Sequence, residues 1–98
     1  MYQDYAINEH LFHWQSQSTT SADSPTGRRY VEHAQQGYTV LLFGREHKRR
    51  SGLAQPYFFL GPAQHVSHTG SRPMSITWRL EHPLPARLFR ILARLAVA

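Results

Sequence analysis

From Met74 to Leu80 the chain changes character residue by residue: Ile76, Trp78 and Leu80 are apolar, and Ser75, Thr77 and Arg79 are polar. Successive side chains of a strand point to opposite faces, so this pattern predicts a strand with one buried face and one solvated face. Such a strand needs neighbours, and three more stretches are candidates. Leu11 to Gln17 reads as a strand with Phe12, Trp14 and Ser16 on one side and Leu11, His13, Gln15 and Gln17 on the other. Tyr38 to Phe43 is nearly free of polarity and reads as a central strand buried on both faces. Pro56 to Leu60 reads as a short buried strand, closed by Gly61-Pro62 and paired with the preceding strand as a hairpin.

Two helices complete the expectation. Ser24-Pro25 offers an N-cap followed by proline at the first helical position, and Gly37 offers a stop, which predicts a short helix from Pro25 to Gln36. After His82-Pro83, Leu84, Leu88, Ile91, Leu92 and Leu95 recur at helical spacing, with Arg87, Arg90 and Arg94 as a second stripe. An amphipathic packing helix accounts for both stripes without a membrane role. The fold class expected is α+β: a small, mostly antiparallel, barrel-like sheet in one domain over residues 1–98, with a short internal helix and a C-terminal amphipathic helix.

A chain of 98 residues supports a single small core. It has no cysteine, which excludes disulfides, thiolate metal sites and a thiol nucleophile. No apolar run approaches the roughly twenty residues of a spanning helix, and the N-terminus lacks the pattern of a signal peptide, so a cytoplasmic protein without membrane contact is expected. Eleven Lys/Arg against six Asp/Glu give a formal charge of +5, which suits a polyanionic partner.

The residues that carry chemistry fall into three groups. Trp14, Gln15 and Gln17 combine a ring with amides and are the candidates for base recognition, although a large aromatic is more often a core anchor. Tyr57 and Phe58 add rings on which bases stack. Arg45, Lys48, Arg49, Arg50 and Arg72 are the candidates for phosphate contact, against the alternative of a merely solvated turn. Histidines occur in two pairs three apart, His10/His13 and His65/His68. On strands that spacing sends the rings to opposite faces, so no metal site is expected. A metal-independent nuclease using His68 as general base, Arg72 as phosphate clamp and a second histidine as acid is the enzymatic alternative. No phosphate loop and no nucleophile elbow is present, which favours binding over catalysis and assigns no catalytic residue.

With Leu-Phe-His-Trp-Gln-Ser-Gln at 11–17, Phe-Leu-Gly-Pro at 59–62 and His-Thr-Gly-Ser-Arg-Pro-Met-Ser-Ile-Thr-Trp-Arg-Leu at 68–80, the chain resembles the DUF3427 family. Further blocks agree: Tyr-Gln-Asp-Tyr-Ala-Ile at 2–7, Gly-Arg-Arg-Tyr at 27–30, Leu-Leu-Phe-Gly-Arg-Glu at 41–46 and Pro-Leu-Pro at 83–85. The resemblance implies a C-terminal module of superfamily 2 helicases, often joined to a phospholipase-D-like nuclease in bacterial restriction and defence proteins. It implies DNA as partner, recognition of methylated or hydroxymethylated cytosine, and a fold similar to the PUA and SRA readers. It also implies that the chain corresponds to the second half of that module, so that exposed strand edges would favour a homodimer. A third expectation is a structural module that docks on a helicase or nuclease subunit through the Leu84 to Leu95 helix.

Overall fold

The computed structural model describes residues 4–45 and 57–93. Its strands are β1 (Tyr5–Ala6), β2 (Leu11–Gln15), β3 (Val40–Arg45), β4 (Tyr57–Thr69) and β5 (Ser75–Leu80), and its helices are α1 (Pro25–Val31) and α2 (Ala86–Leu92). The strands form one antiparallel sheet in the order β1-β2-β5-β4-β3, curled into a half-barrel. The expected α+β, barrel-like class is what the chain adopts.

The alternating strand is the centre of the sheet, paired with β2 on one side and β4 on the other. Ile76, Trp78 and Leu80 are buried while Arg79 is exposed, as the alternation requires. Opposite residues of an antiparallel pair share a face, so Phe12 against Trp78, Trp14 against Ile76 and Ala63 against Leu80 all join the inner face. Ala6, Leu42, Leu60, Met74, Leu84 and Leu92 complete the buried core. Burial of each large side chain contributes about 1.5–3 kcal/mol, which is what holds a domain with so few core residues.

The curl comes from β4. Its ladder shifts register opposite Leu42/Phe43, where Leu60 is the extra residue beside Gly61 at φ +92°, and again between His65 and Ser67, where Val66 is extra. Each inserted residue bends the strand and increases its twist. The expected stop at Gly61-Pro62 is therefore corrected: both residues stay in the ladder, opposite Leu42 and Leu41, and the strand runs on to Thr69.

Tyr38 to Phe43 is corrected as well. Its strand, β3, lies at the margin of the sheet; Leu42 is buried, whereas Leu41 and Phe43 are about half exposed (51% and 50%). Across from it, Leu60 is buried but Tyr57 and Phe59 are exposed, so the expected burial of that strand holds only on its inner side.

The first helix begins as expected, with the Ser24 hydroxyl accepting from the Gly27 N–H at 3.1 Å and Pro25 at the first position. It ends five residues early, at Val31 instead of Gln36. His33 explains the difference: its buried ring donates from Nδ1 to the Tyr38 carbonyl at 3.1 Å and accepts the His65 N–H at Nε2. Those two bonds turn the chain inward towards β4, and Gly37, at φ +80°, closes the turn.

The last helix packs its apolar stripe inward, with Leu92 buried and Leu88, Phe89 and Ile91 half-buried against the core. Leu84 precedes it and is also buried. The described part of that stripe packs against the chain's own core; Arg94 and Leu95 lie outside the described residues.

Candidate functional site

The order of strands places β1 and β3 at opposite margins of the sheet. The curl brings these margins to one opening, because Asp4 beside β1, Trp14 on β2 and Val40 to Phe43 on β3 line the same cleft of about 380 Å³. Tyr30 from α1, Tyr38 and Tyr57 add three phenol rings, and Trp78 reaches it from the centre of the sheet. The cleft is thus the open seam of the half-barrel, walled by aromatic rings.

The rings are fixed against one another. Trp14 meets Tyr30 edge to face with centroids 5.1 Å apart and planes at 79°, and meets Trp78 at 6.5 Å and 66°. Trp78 is buried, and its Nε1–H has no acceptor among the described residues. A buried donor without a partner is rare and points to a function or an unusual environment.

Two guanidinium groups lie on this aromatic wall. Arg29 sits over the Tyr38 ring at 5.2 Å and Arg45 over the Tyr57 ring at 4.9 Å. Both are cation–π contacts at exposed rims, worth about 0.5–1 kcal/mol each, enough to orient the side chains without neutralising them. A carboxylate completes the set: Asp4 Oδ1 accepts the Gln15 backbone N–H at 3.0 Å, which holds Asp4 against β2.

The sequence candidates distribute as follows. Trp14 and Tyr57 line the cleft, and Arg45 lies over the Tyr57 ring at its rim without lining it. Gln15 is on the opposite face of β2 from Trp14, where its Nε2 donates to Ser75 Oγ at 3.2 Å. Gln17 is exposed beyond the strand end, and Phe58 is half-buried against the core. The three base-recognition candidates therefore do not share one pocket. Lys48, Arg49 and Arg50 lie outside the described residues. Arg72, at φ 57° in the β4–β5 connection, is away from the cleft: its N–H donates to the Thr20 carbonyl, and its charge acts on Asp23. The Asp23 carboxyl is held below its ordinary value by the Ser21 hydroxyl and its own backbone N–H, then by Arg28 and Arg72.

Sequence reading missed Asp4, Arg29, Tyr30, Tyr38 and Phe43. Arg29 and Tyr30 carried a usable sign, an Arg-Arg-Tyr run just after a capped helix start. The others enter only through the curl.

The histidines also differ from expectation. His65 and His68 lie on one face, their Nε2 and Nδ1 atoms 3.0 Å apart, because the extra residue Val66 shifts the alternation between them. His10 instead pairs with Glu9 and His13 stacks on Tyr5. Imidazoles in direct contact do not flank a phosphorus centre from two sides as an acid and a base would, so this geometry lends the nuclease alternative no support.

Among the described residues no helix is long and apolar enough to cross a membrane. A family model described as a domain of unknown function, DUF3427, matches residues 1–92. No curated protein and no solved structure matches the chain.

Proposed function

The chain belongs to the DUF3427 family, and from that premise we propose that it is a DNA-binding targeting module that senses a modified base, a modified cytosine, for a helicase or restriction assembly in bacterial defence. The single observation that carries this reading is the aromatic seam with an arginine over a tyrosine at two points of its wall.

Every base has a π face, and stacking on a protein ring is worth about 1–3 kcal/mol. A base enters such a cleft from a duplex only when flipped out of its stack, which leaves its phosphates at the rim. Arg29 and Arg45 are at that rim and take phosphates, a role for which the sequence suggested Arg45 and the basic run after it. Inside, the Asp4 carboxylate is the type of group that accepts from the exocyclic amine of cytosine, and the buried Trp78 indole N–H supplies a donor for a ring acceptor once the side chains that cover it move aside. A methyl or hydroxymethyl group at C5 would gain contact with the apolar wall at Leu41 and Phe43.

In this reading the chain itself is not an enzyme, and ATP hydrolysis or strand cleavage belongs to partner subunits in the cytoplasm. A docking reading has one observation in its favour. Leu41, Phe43, Tyr57 and Phe59 expose an apolar surface on the β3–β4 pair, suited to a helicase or nuclease subunit or to a second copy.

The deciding experiment is a fluorescence-anisotropy titration against matched duplexes carrying cytosine, 5-methylcytosine or 5-hydroxymethylcytosine, each at two salt concentrations. Preference for one modified duplex that survives the higher salt, and is lost in Trp14→Ala, is the expected result. Equal and salt-sensitive binding to all three would reduce the role to electrostatic DNA attachment. Absence of binding by a folded chain would transfer the proposal to the docking surface.

A further inference from the structure

His65 and His68 do not line the aromatic cleft, and the reading above makes no use of them. Their geometry is specific. The bulge at Val66 turns both imidazoles to one face, His65 Nε2 lies 3.0 Å from His68 Nδ1, and the ring planes are inclined at 50°. We propose that this pair is a two-imidazole chelating site for a divalent first-row metal ion of tetragonal preference, of the Cu²⁺ or Ni²⁺ class.

The spacing suits one class of ion. Metal–imidazole bonds are about 2.0–2.1 Å, so two nitrogens at this separation subtend roughly 95° at a shared ion. That is the cis angle of square-planar or octahedral coordination. A tetrahedral ion needs the nitrogens farther apart, at about 3.3–3.4 Å. Softness agrees, since imidazole nitrogen suits copper and nickel.

The site is open and its charge is suitable. His68 is exposed and borders a shallow pocket with Asp23, Glu32 and Arg28, two carboxylates against one guanidinium, in a chain that is otherwise strongly basic. His65 is half-buried, and burial, followed by the charges of His68 and His33, holds its imidazole below the ordinary value. Metal binds imidazole in its neutral form.

Without an ion, the neutral pair shares one proton between the two facing nitrogens. With an ion, that proton moves through solvent to the far nitrogen of the same ring, so each histidine stays neutral and each facing nitrogen gives its lone pair to the metal. Each ring tilts off the N–N line, which the exposure of His68 permits. Among the described residues no group of three or more His, Asp or Glu side chains is placed to hold an ion, so water fills the remaining positions.

The rings also provide the readout. His65 meets Trp78 edge-on with centroids 6.2 Å apart, so a bound Cu²⁺ quenches that indole. The full chain is titrated with Cu²⁺, then with Ni²⁺, following tryptophan fluorescence and heat, with circular dichroism to confirm folding. One equivalent is expected to bind, with affinity about tenfold or more weaker in His68→Ala and in His65→Ala and unchanged in His10→Ala. Electron paramagnetic resonance of the Cu²⁺ form is expected to show two nitrogen ligands. Should His65→Ala fail to fold, the exposed His68→Ala variant decides alone. Unchanged affinity in His68→Ala, or no stoichiometric binding by the wild type, overturns the site.

Discussion

The indole of Trp14 stands edge-on to the ring of Tyr30, centroids 5.1 Å apart, and this one contact joins the second strand to the first helix at the wall of the cleft. Edge-to-face pairs contribute about 0.5–1.5 kcal/mol beyond their buried area. A double-mutant cycle of Trp14→Leu and Tyr30→Leu, read by urea denaturation, is expected to give a coupling energy in that range. Coupling near zero would mean that the two elements meet without holding each other.

The hydroxyl of Ser16 explains why the inner face continues past the end of β2 in a polar residue. Ser16 is fully buried; its Oγ accepts the Met74 N–H at 2.9 Å and donates to the Gln17 carbonyl at 3.0 Å. Ser16→Ala leaves that buried N–H without an acceptor, at a cost of about 1–3 kcal/mol. Ser16→Thr keeps the oxygen. Denaturation midpoints are expected to fall clearly in the alanine variant and less in the threonine variant, whose extra methyl meets a packed site.

These contacts mark where sequence reading succeeds and where it stops. The alternation of Ile76, Trp78 and Leu80 names the central strand because burial on one face is a local, period-two property. The cap at Ser24 is equally local. By contrast, an unbroken apolar run such as Tyr38 to Phe43 reads the same whether both faces are covered or Leu41 and Phe43 face outward at a margin. Bulges defeat counting altogether. One extra residue at Val66 reverses the faces, so that His65 and His68 meet when their spacing says they should part. Trp14 was legible as a candidate, but its companions Tyr38, Phe43 and Asp4 come from distant parts of the chain and meet it only through the curl that those bulges create.

Gly27 is buried at the start of the first helix, and its lack of a side chain is a packing requirement. A Cβ at this position overlaps the Ser21 carbonyl oxygen and approaches the Ala22 carbonyl oxygen at 2.9 Å. Backbone atoms in a loop tied down by the Ala22 N–H to Ser71 bond have little room to yield. Gly27→Ala is expected to destabilise the protein by about 1–3 kcal/mol, although alanine is the better helix former. Gly37→Ala tests the other kind of glycine: nothing lies near its Cβ, so any loss there comes from its φ of +80° alone.

The His65 imidazole has its proton affinity lowered by burial first, and then by His68 and His33. In the unfolded chain it returns to about 6.5. Below that pH the unfolded state binds the proton more readily than the folded state, so the contribution of His65 to stability is fully present above it and is lost as pH falls towards the folded value. Melting temperatures measured from pH 8 to 5 are expected to drop below about 6.5, and the drop is expected to be shallower in His65→Gln. Identical slopes in the two proteins would assign the acid sensitivity to another group.

Trp78 sets two demands against each other, packing and hydrogen bonding. Its ring is buried among Phe12, Trp14 and His65, while its Nε1–H lacks a partner among the described residues. Replacing the whole ring by alanine would cost about 3–5 kcal/mol, enough to threaten so small a domain. Trp78→Phe is different: it keeps most of the packing and removes a donor that has no hydrogen bond among the described residues. Its cost is limited to the space left by the lost half of the indole, about 1–2 kcal/mol if the site partly collapses. If the N–H serves a ring acceptor of a flipped base, DNA affinity is expected to fall by more than stability alone predicts, because a folded Trp78→Phe protein has lost a contact worth about 1–3 kcal/mol of discrimination. Thermal melts and anisotropy titrations on the same preparations separate the two effects. A folded variant that discriminates between cytosine and 5-methylcytosine as well as wild type would assign Trp78 to the core alone and leave base selection to Asp4 and the rings at the rim.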